Sequence, residues 1–206
     1  MTKNILIFGA SITYGAWDLE KGGWVQRLRD YLEKKHELGD YFIYNLGISG
    51  DTSSMLLARF ATDIKYRVDE DEENIVIFSV GINDSVYLLK EKRNMTKLAD
   101  YEKNISKLFG LAKKYTQKII FVGLGNVDEI KVAPVPWNKN ISYSNKNIFE
   151  YNDAVRKICK KENVLFVDLF NKIDKNLLSD GLHPNSAGHQ KMFEIIKEAL
   201  IKNKVI

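Results

Sequence analysis

The chain has 206 residues, 45% of them hydrophobic and 28% charged, with a formal net charge of +4. That composition fits one globular domain over residues 1–206 and excludes a disordered or fibrous chain. No apolar run reaches the ~18 residues of a membrane-spanning helix, and the lysines, interleaved with glutamates and offset by Asp69-Glu70-Asp71-Glu72-Glu73, make no basic face for nucleic acid.

The elements follow in chain order. After Met1-Thr2-Lys3-Asn4, the run Ile5-Leu6-Ile7-Phe8 is too short for a secretory signal and lacks a cleavage site, so a cytoplasmic location is expected. Ending at Gly9, it reads instead as a strand buried on both faces. Gly23 to Lys35 carries Trp24, Val25, Leu28, Tyr31 and Leu32 at helical spacing, and Phe42 to Leu46 reads as a second strand. A helix is predicted from Thr52 or Ser53 to about Tyr66, with hydroxyl side chains available as caps. Asn74 to Val80 is the clearest strand, and Thr96 to Tyr115 is helical by its Leu98, Tyr101, Ile105 and Leu108 stripe. Lys118 to Leu124 makes a fourth strand, Asn147 to Lys161 a helix, Val164 to Val167 a fifth strand, and Ser186 to Lys202 a closing helix. The single cysteine, Cys159, excludes an internal disulfide and reads as a small residue on a helix's inner face.

Strands alternating with helices of ten or more residues predict a parallel sheet with right-handed crossovers and helices on both faces. Five such strands fit a three-layer α/β/α fold with a flavodoxin-like doubly wound sheet. Ligands of such sheets bind beyond the carboxyl ends of the strands, so the loops after the strands should converge on one edge. The irregular stretch from Gly125 to Lys146 holds Pro134, Pro136, Trp137 and Tyr143 and is expected as a wall or flap over that edge, with mere decoration as the alternative.

The turn after the first strand, Gly9-Ala10-Ser11-Ile12-Thr13, is neither the G-x-S-x-G elbow nor a phosphate-binding loop. Alone, Ser11 reads as a turn former or cap. After the second strand, Gly47-Ile48-Ser49-Gly50-Asp51-Thr52 offers free N–H groups at a helix start, suited to an anion or oxyanion, or simply a turn and an N-cap. Gly81-Ile82-Asn83-Asp84 places an amide donor beyond the third strand. Before the last helix stands Asp180-Gly181-Leu182-His183-Pro184. Pro184 disfavours a helical His183, and Asp180 can accept from the imidazole Nδ1–H, leaving Nε2 free to take a proton. His36 lies in a polar stretch and reads as surface. His189 reads as a structural partner in the last helix or a neighbour of the site, and its distance from His183 is not that of a helical zinc pair. Trp24 fits a helix's apolar face, whereas Trp17 either lines the site or does not.

In these four blocks the chain resembles the GDSL-type, or SGNH, hydrolases: Ser11, Gly50, Gly81-Ile82-Asn83-Asp84 and Asp180-Gly181-Leu182-His183 stand in that family's order, and the resemblance runs from residue 5 to about 200. It implies an esterase in which Ser11 attacks an acyl carbonyl, His183 is the general base and Asp180 steadies the imidazolium. It further implies an oxyanion hole made by the Ser11 and Gly50 backbone N–H groups and the Asn83 side chain, a small-molecule ester as substrate, and no metal or cofactor. The chain departs from the family's usual Gly-Asp-Ser-Leu at Ala10, which removes a carboxylate expected to tie the loops together. Lacking a lid domain, the chain is expected to take acetyl-type acyl groups on small or carbohydrate alcohols. An acyltransferase would use the same acyl-enzyme, while a non-catalytic flavodoxin-like binding module would place no demand on this set of residues.

Overall fold

The structure, a computed structural model, describes residues 2–206. In chain order the elements are β1 (Lys3–Gly9), α1 (Ser11–Tyr14), α2 (Gly23–Lys35), β2 (Tyr41–Gly47), α3 (Ser53–Lys65), β3 (Glu73–Ser79), β4 (Tyr87–Leu88), β5 (Arg93–Asn94), α4 (Leu98–Ala112), β6 (Lys118–Val122), α5 (Glu129–Val132), β7 (Ile141–Ser142), α6 (Asn145–Glu162), β8 (Leu165–Val167) and α7 (Ser186–Lys202). Five strands form one parallel sheet in the order β2-β1-β3-β6-β8, the doubly wound order the sequence pattern predicts.

The alternation of side chains along each strand sorts the core into two layers. Leu6, Phe8, Val76, Phe78 and Phe121 face α3, α4 and α6, where a train of rings runs from Phe60 through Phe8 and Phe78 to Phe109 at centroid separations of 4.8, 5.8 and 5.9 Å. Ile5, Ile7, Ile75, Ile77, Ile120 and Val122 face α2 and α7 and pack on Trp24, Leu28, Met192 and Ile196. Burial on both faces explains why these strands read as unbroken apolar runs. The edge strand β2 is only half buried and correspondingly mixed in sequence.

Besides the unpredicted α1, β4 and β5 and small shifts at other element ends, three features depart from the sequence reading. Residues 125–146 are not irregular throughout: they hold α5 and β7, and β7 joins β4 and β5 in a small antiparallel sheet. Val127, Val132 and Val135 from this stretch are fully buried. Second, β6 ends at Val122 rather than Leu124, because the Leu124 N–H turns to the Asn152 side chain at 2.8 Å. Third, α6 begins at Asn145, two residues early, because the Ser144 hydroxyl caps the Asn147 N–H and so sets the helix start. Among the described residues no helix is long and apolar enough to cross a membrane. Cys159 is buried, and burial pushes its thiol up to about 12.

Candidate active site

The parallel register brings Gly9, Gly47 and Ser79 level at the ends of three adjacent strands. The chain then turns at once into α1, and only glycine permits this: a Cβ on Gly9 would lie 2.1 Å from Thr13 Oγ1 and 2.5 Å from the Ser79 carbonyl. Ser11 is thereby the first residue of α1, with its hydroxyl at the sheet edge. From the far end of the chain, the turn 179–183 is closed by the Ser179 N–H donating to the His183 carbonyl at 2.8 Å. The Asn185 side chain then accepts from Gly188 N–H and starts α7, so His183 stands just outside the helix, as Pro184 implied.

Ser11, His183 and Asp180 meet. Ser11 Oγ lies 3.0 Å from His183 Nε2, and His183 Nδ1 lies 2.7 Å from Asp180 Oδ2. The other carboxylate oxygen, Oδ1, accepts from the backbone N–H groups of Leu182 and His183 at 2.9 and 2.8 Å. Burial alone would raise the Asp180 pKa, but these bonds and the His183 ring outweigh it and hold the carboxyl well below the usual carboxylate range. Asp180 is therefore an anion at neutral pH, the state that fixes the tautomer of the ring beside it.

The donors lie on the same edge. Ser11, Gly50 and Asn83 all line an open cleft of about 860 Å³ together with His183. Gly50 adopts φ +86°, a left-handed conformation that lets the loop double back before α3. The Asn83 amide is held from two sides: Nδ2 donates to the Asp51 carbonyl at 2.9 Å, and Oδ1 accepts from the Tyr143 hydroxyl at 3.2 Å. One amide N–H stays free to face the cleft. Tyr143 is buried, which pushes its phenol up to about 12 and keeps it a donor. It comes from the long 125–146 stretch, as does Trp137, which also lines the cleft; the expected wall is there. Asp84, next to Asn83, is fully buried and accepts from the Ser53 N–H and hydroxyl, which fastens the start of α3; its burial raises its pKa.

Three groups that sequence reasoning did not assign complete the frame. Arg59 on α3 donates to the Leu46 and Gly9 carbonyls at 2.8 and 3.3 Å and to Asp51 at 2.7 Å, joining the first two loops. This supplies the tie that Ala10 was expected to lack. The Trp17 indole Nε1 lies 2.8 Å from Asp180 Oδ2 and 2.9 Å from His183 Nδ1. Asp18 and Arg27 form a buried ion pair, and the Asp18 carboxylate also accepts from the Gly23 N–H at the start of α2. A carboxylate nine residues before an arginine and beside a Gly-Gly helix start was the available signal. His189 is buried and neutral-favouring: burial lowers its pKa, Nε2 faces the Ala16 carbonyl at 3.1 Å, and Nδ1 accepts from the Trp24 N–H at 3.3 Å. It braces the loop after Ser11 and is the structural partner the sequence suggested. His36 is exposed against Tyr41. No three His, Cys, Asp or Glu side chains cluster as metal ligands would, among the described residues.

Comparison with known proteins points the same way. The isoamyl acetate-hydrolyzing esterase of Saccharomyces cerevisiae is 28% identical, over 95% of this chain and 86% of its own length. Among solved structures, an acetylxylan esterase from Geobacillus stearothermophilus superposes with a TM-score of 0.73 at 23% identity, covering 96% of this chain and 93% of its own. A member of the lipolytic G-D-S-L family from Veillonella parvula gives 0.74 at 17% identity, covering 98% and 100%. These two share the fold. The model of the GDSL-like lipase/acylhydrolase family matches residues 7–191, a span that takes in every loop of the cleft from Ser11 to His183. With that match across nearly its whole length, the chain belongs to the GDSL-like lipase/acylhydrolase family of ester hydrolases.

Proposed function

We propose that the protein is a serine esterase that hydrolyses acetyl-type esters of small or carbohydrate alcohols through an acyl-enzyme on Ser11. The observation that carries this reading is the contact chain from Ser11 Oγ through His183 to Asp180, at 3.0 and 2.7 Å, opening into a cleft with Gly50 and Asn83 on its rim.

Ser11 Oγ attacks the ester carbonyl as its proton passes to His183 Nε2, and Asp180 stabilises the imidazolium. The negative charge forming on the carbonyl oxygen is received by the Ser11 and Gly50 N–H groups and the free N–H of Asn83. Collapse of the tetrahedral intermediate breaks the ester C–O bond, and the Nε2 proton leaves with the alcohol. Water then gives its proton to Nε2 and attacks the acyl-enzyme, and return of that proton to Ser11 Oγ releases the carboxylic acid. A short acyl group and a sugar-sized alcohol are supported by the cleft itself. Tyr14, Trp17 and Trp137 stand 61, 53 and 57% exposed around it, flat rings open to solvent rather than a closed tunnel. The relatives named for isoamyl acetate and acetylxylan agree with that choice.

The test is active-site labelling with a fluorophosphonate and turnover of p-nitrophenyl esters of graded acyl length and of acetylated xylo-oligosaccharides. Labelling at Ser11, loss of labelling and turnover in Ser11→Ala, and a preference for acetyl are expected. A folded wild type that neither labels nor hydrolyses any of these esters refutes the reading.

A further inference from the structure

Trp17 stands six residues after Ser11, in a loop whose backbone is anchored on both sides of it. The Ala16 carbonyl faces His189 Nε2, the Ala16 N–H donates to the Ser11 carbonyl at 2.9 Å, and Asp18 is locked by Arg27. Between these anchors Trp17 adopts φ +66°, a left-handed conformation that costs a bulky residue steric strain and survives only where its surroundings impose it. Burial is not the return for that strain, since the ring is 53% exposed. What the conformation does achieve is an edge-on approach to the His183 imidazole, with centroids 5.7 Å apart and planes at 88°, so that the indole N–H points at the triad carboxylate.

Two nitrogens then crowd one oxygen. Nδ1 of His183 carries the proton it gives to Asp180 Oδ2, because Nε2 must be bare to accept from Ser11. Nδ1 has no lone pair for a second donor, so the indole N–H also goes to Oδ2. Nε1 thus stands within 2.9 Å of both partners of the His183–Asp180 bond. With two backbone N–H groups on Oδ1, all four acceptor positions of the carboxylate are filled.

We propose that Trp17 is a positioning residue of the triad, whose indole N–H donates to Asp180 Oδ2 and holds that oxygen on the His183 Nδ1–H. Sharing Oδ2 with a second donor draws charge from the His183 side of the carboxylate, so the imidazolium is stabilised less than it would be by an unshared anion. The other ionisable groups facing this corner are Asp18 with its partner Arg27, Tyr143 from the 125–146 stretch and His189 from α7, and none of them contacts the indole nitrogen.

The inference rests on the esterase reading for the His183 tautomer and for its kinetic arm. In Trp17→Phe the ring remains and the donor is lost. The acid limb of the kcat/KM profile for p-nitrophenyl acetate is expected to move upward by on the order of half a pH unit, with kcat down threefold or more and KM within about twofold. An unshifted limb, with the whole loss in KM, would make Trp17 a wall of the binding cleft and overturn the proposal. The second arm reads the bond directly in 15N-labelled protein, whose three tryptophans give three indole N–H resonances. Trp17→Phe identifies its own. That resonance should lie downfield in the wild type and move upfield, with faster solvent exchange, in Asp180→Ala; no movement overturns the proposal. Because this arm needs no turnover, a failure of Ser11 as nucleophile and a failure of Trp17 as donor give separate results.

Discussion

The Asn83 amide owes its orientation to two anchors, and removing one of them tests the oxyanion assignment without touching the donor itself. Tyr143→Phe deletes a hydroxyl that donates to Asn83 Oδ1 at 3.2 Å and leaves the Asp51 carbonyl holding Nδ2 at 2.9 Å. A neutral hydrogen bond of this kind contributes roughly 0.5–1.5 kcal/mol. At 1.36 kcal/mol per tenfold, full transmission to the transition state corresponds to a fall in kcat of roughly 2- to 12-fold. Asn83→Ala, which removes the donor, should cost on the order of 10²–10³. The expected signature is thus a small loss in kcat at nearly constant KM, since the amide acts only once charge develops on the substrate oxygen. Steady-state hydrolysis of p-nitrophenyl acetate by both single variants and the double variant provides the assay. In the Asn83→Ala background the tyrosine hydroxyl has nothing left to orient, so Tyr143→Phe should add no further loss. A multiplicative loss in the double variant, or an unchanged kcat in Tyr143→Phe, refutes the coupling. The phenol is pushed up to about 12, so the effect should be the same at every pH where the triad works.

Acid stability follows from two carboxylates. Asp18 and Asp180 both titrate well below their ordinary value of 3.8, Asp18 because hydrogen bonds from Arg27 and from the Gly23 and Lys21 N–H groups, with the Arg27 charge, overcome its burial. Between the folded and unfolded values the unfolded chain binds more protons, so these groups stabilise the fold above the ordinary carboxylate range and that contribution drains away as pH falls below it. Urea midpoints measured from about pH 6 to pH 3 should fall, and fall less in Asp18→Asn; a flat wild-type profile contradicts this. Arg27→Met, which strands the buried Asp18 charge and breaks the arginine's bonds to Ser186 on α7, should lower stability by roughly 3–5 kcal/mol in urea unfolding. Leu182 lines both the open cleft and a small apolar cavity of about 40 Å³ that Pro184 also lines. Leu182→Ala should join them and shift the acyl-length optimum upward by at least one methylene pair, at a stability cost of about 2–5 kcal/mol; an optimum that stays at acetyl would separate the cavity from the acyl site.

Fold and site were legible in the sequence to different depths, for identifiable reasons. The three inner strands bury both faces, so Ile5–Phe8 or Asn74–Phe78 read as apolar runs whatever their neighbours. Two-residue strands carry no periodicity at all, and β4, β5 and β7 were invisible. The stretch 125–146 looked irregular because its buried valines serve a packing surface set by other elements, not a repeat of their own. In the site, Ser11, Asn83, Asp180 and His183 could be found because each sits at a turn with its own sequence mark. Arg59 could not, and Tyr143 and Trp17 could be named only as candidate walls of the site, not by the groups they hold. Their partners are a strand-end carbonyl, an amide 60 residues away and a carboxylate 163 residues away, pairings that exist only after the sheet has closed.

Ala10 shows how such long-range pairings reshape the reading of a local motif. A missing aspartate in the first block suggests a slack nucleophile loop, yet the strand ends it would tie are held by Arg59, which takes two carbonyls from two loops at once. Ala10, 4% exposed, lines an apolar cavity together with Ile12, Ile82, Leu124, Leu178 and Met192. No basic side chain lines that cavity. A carboxylate there would need a partner that this chain does not place, and an unpaired buried charge is far costlier than a lost surface tie. The alanine therefore suits the apolar lining beneath it, while Arg59 ties the strand ends beside the Ser11 turn.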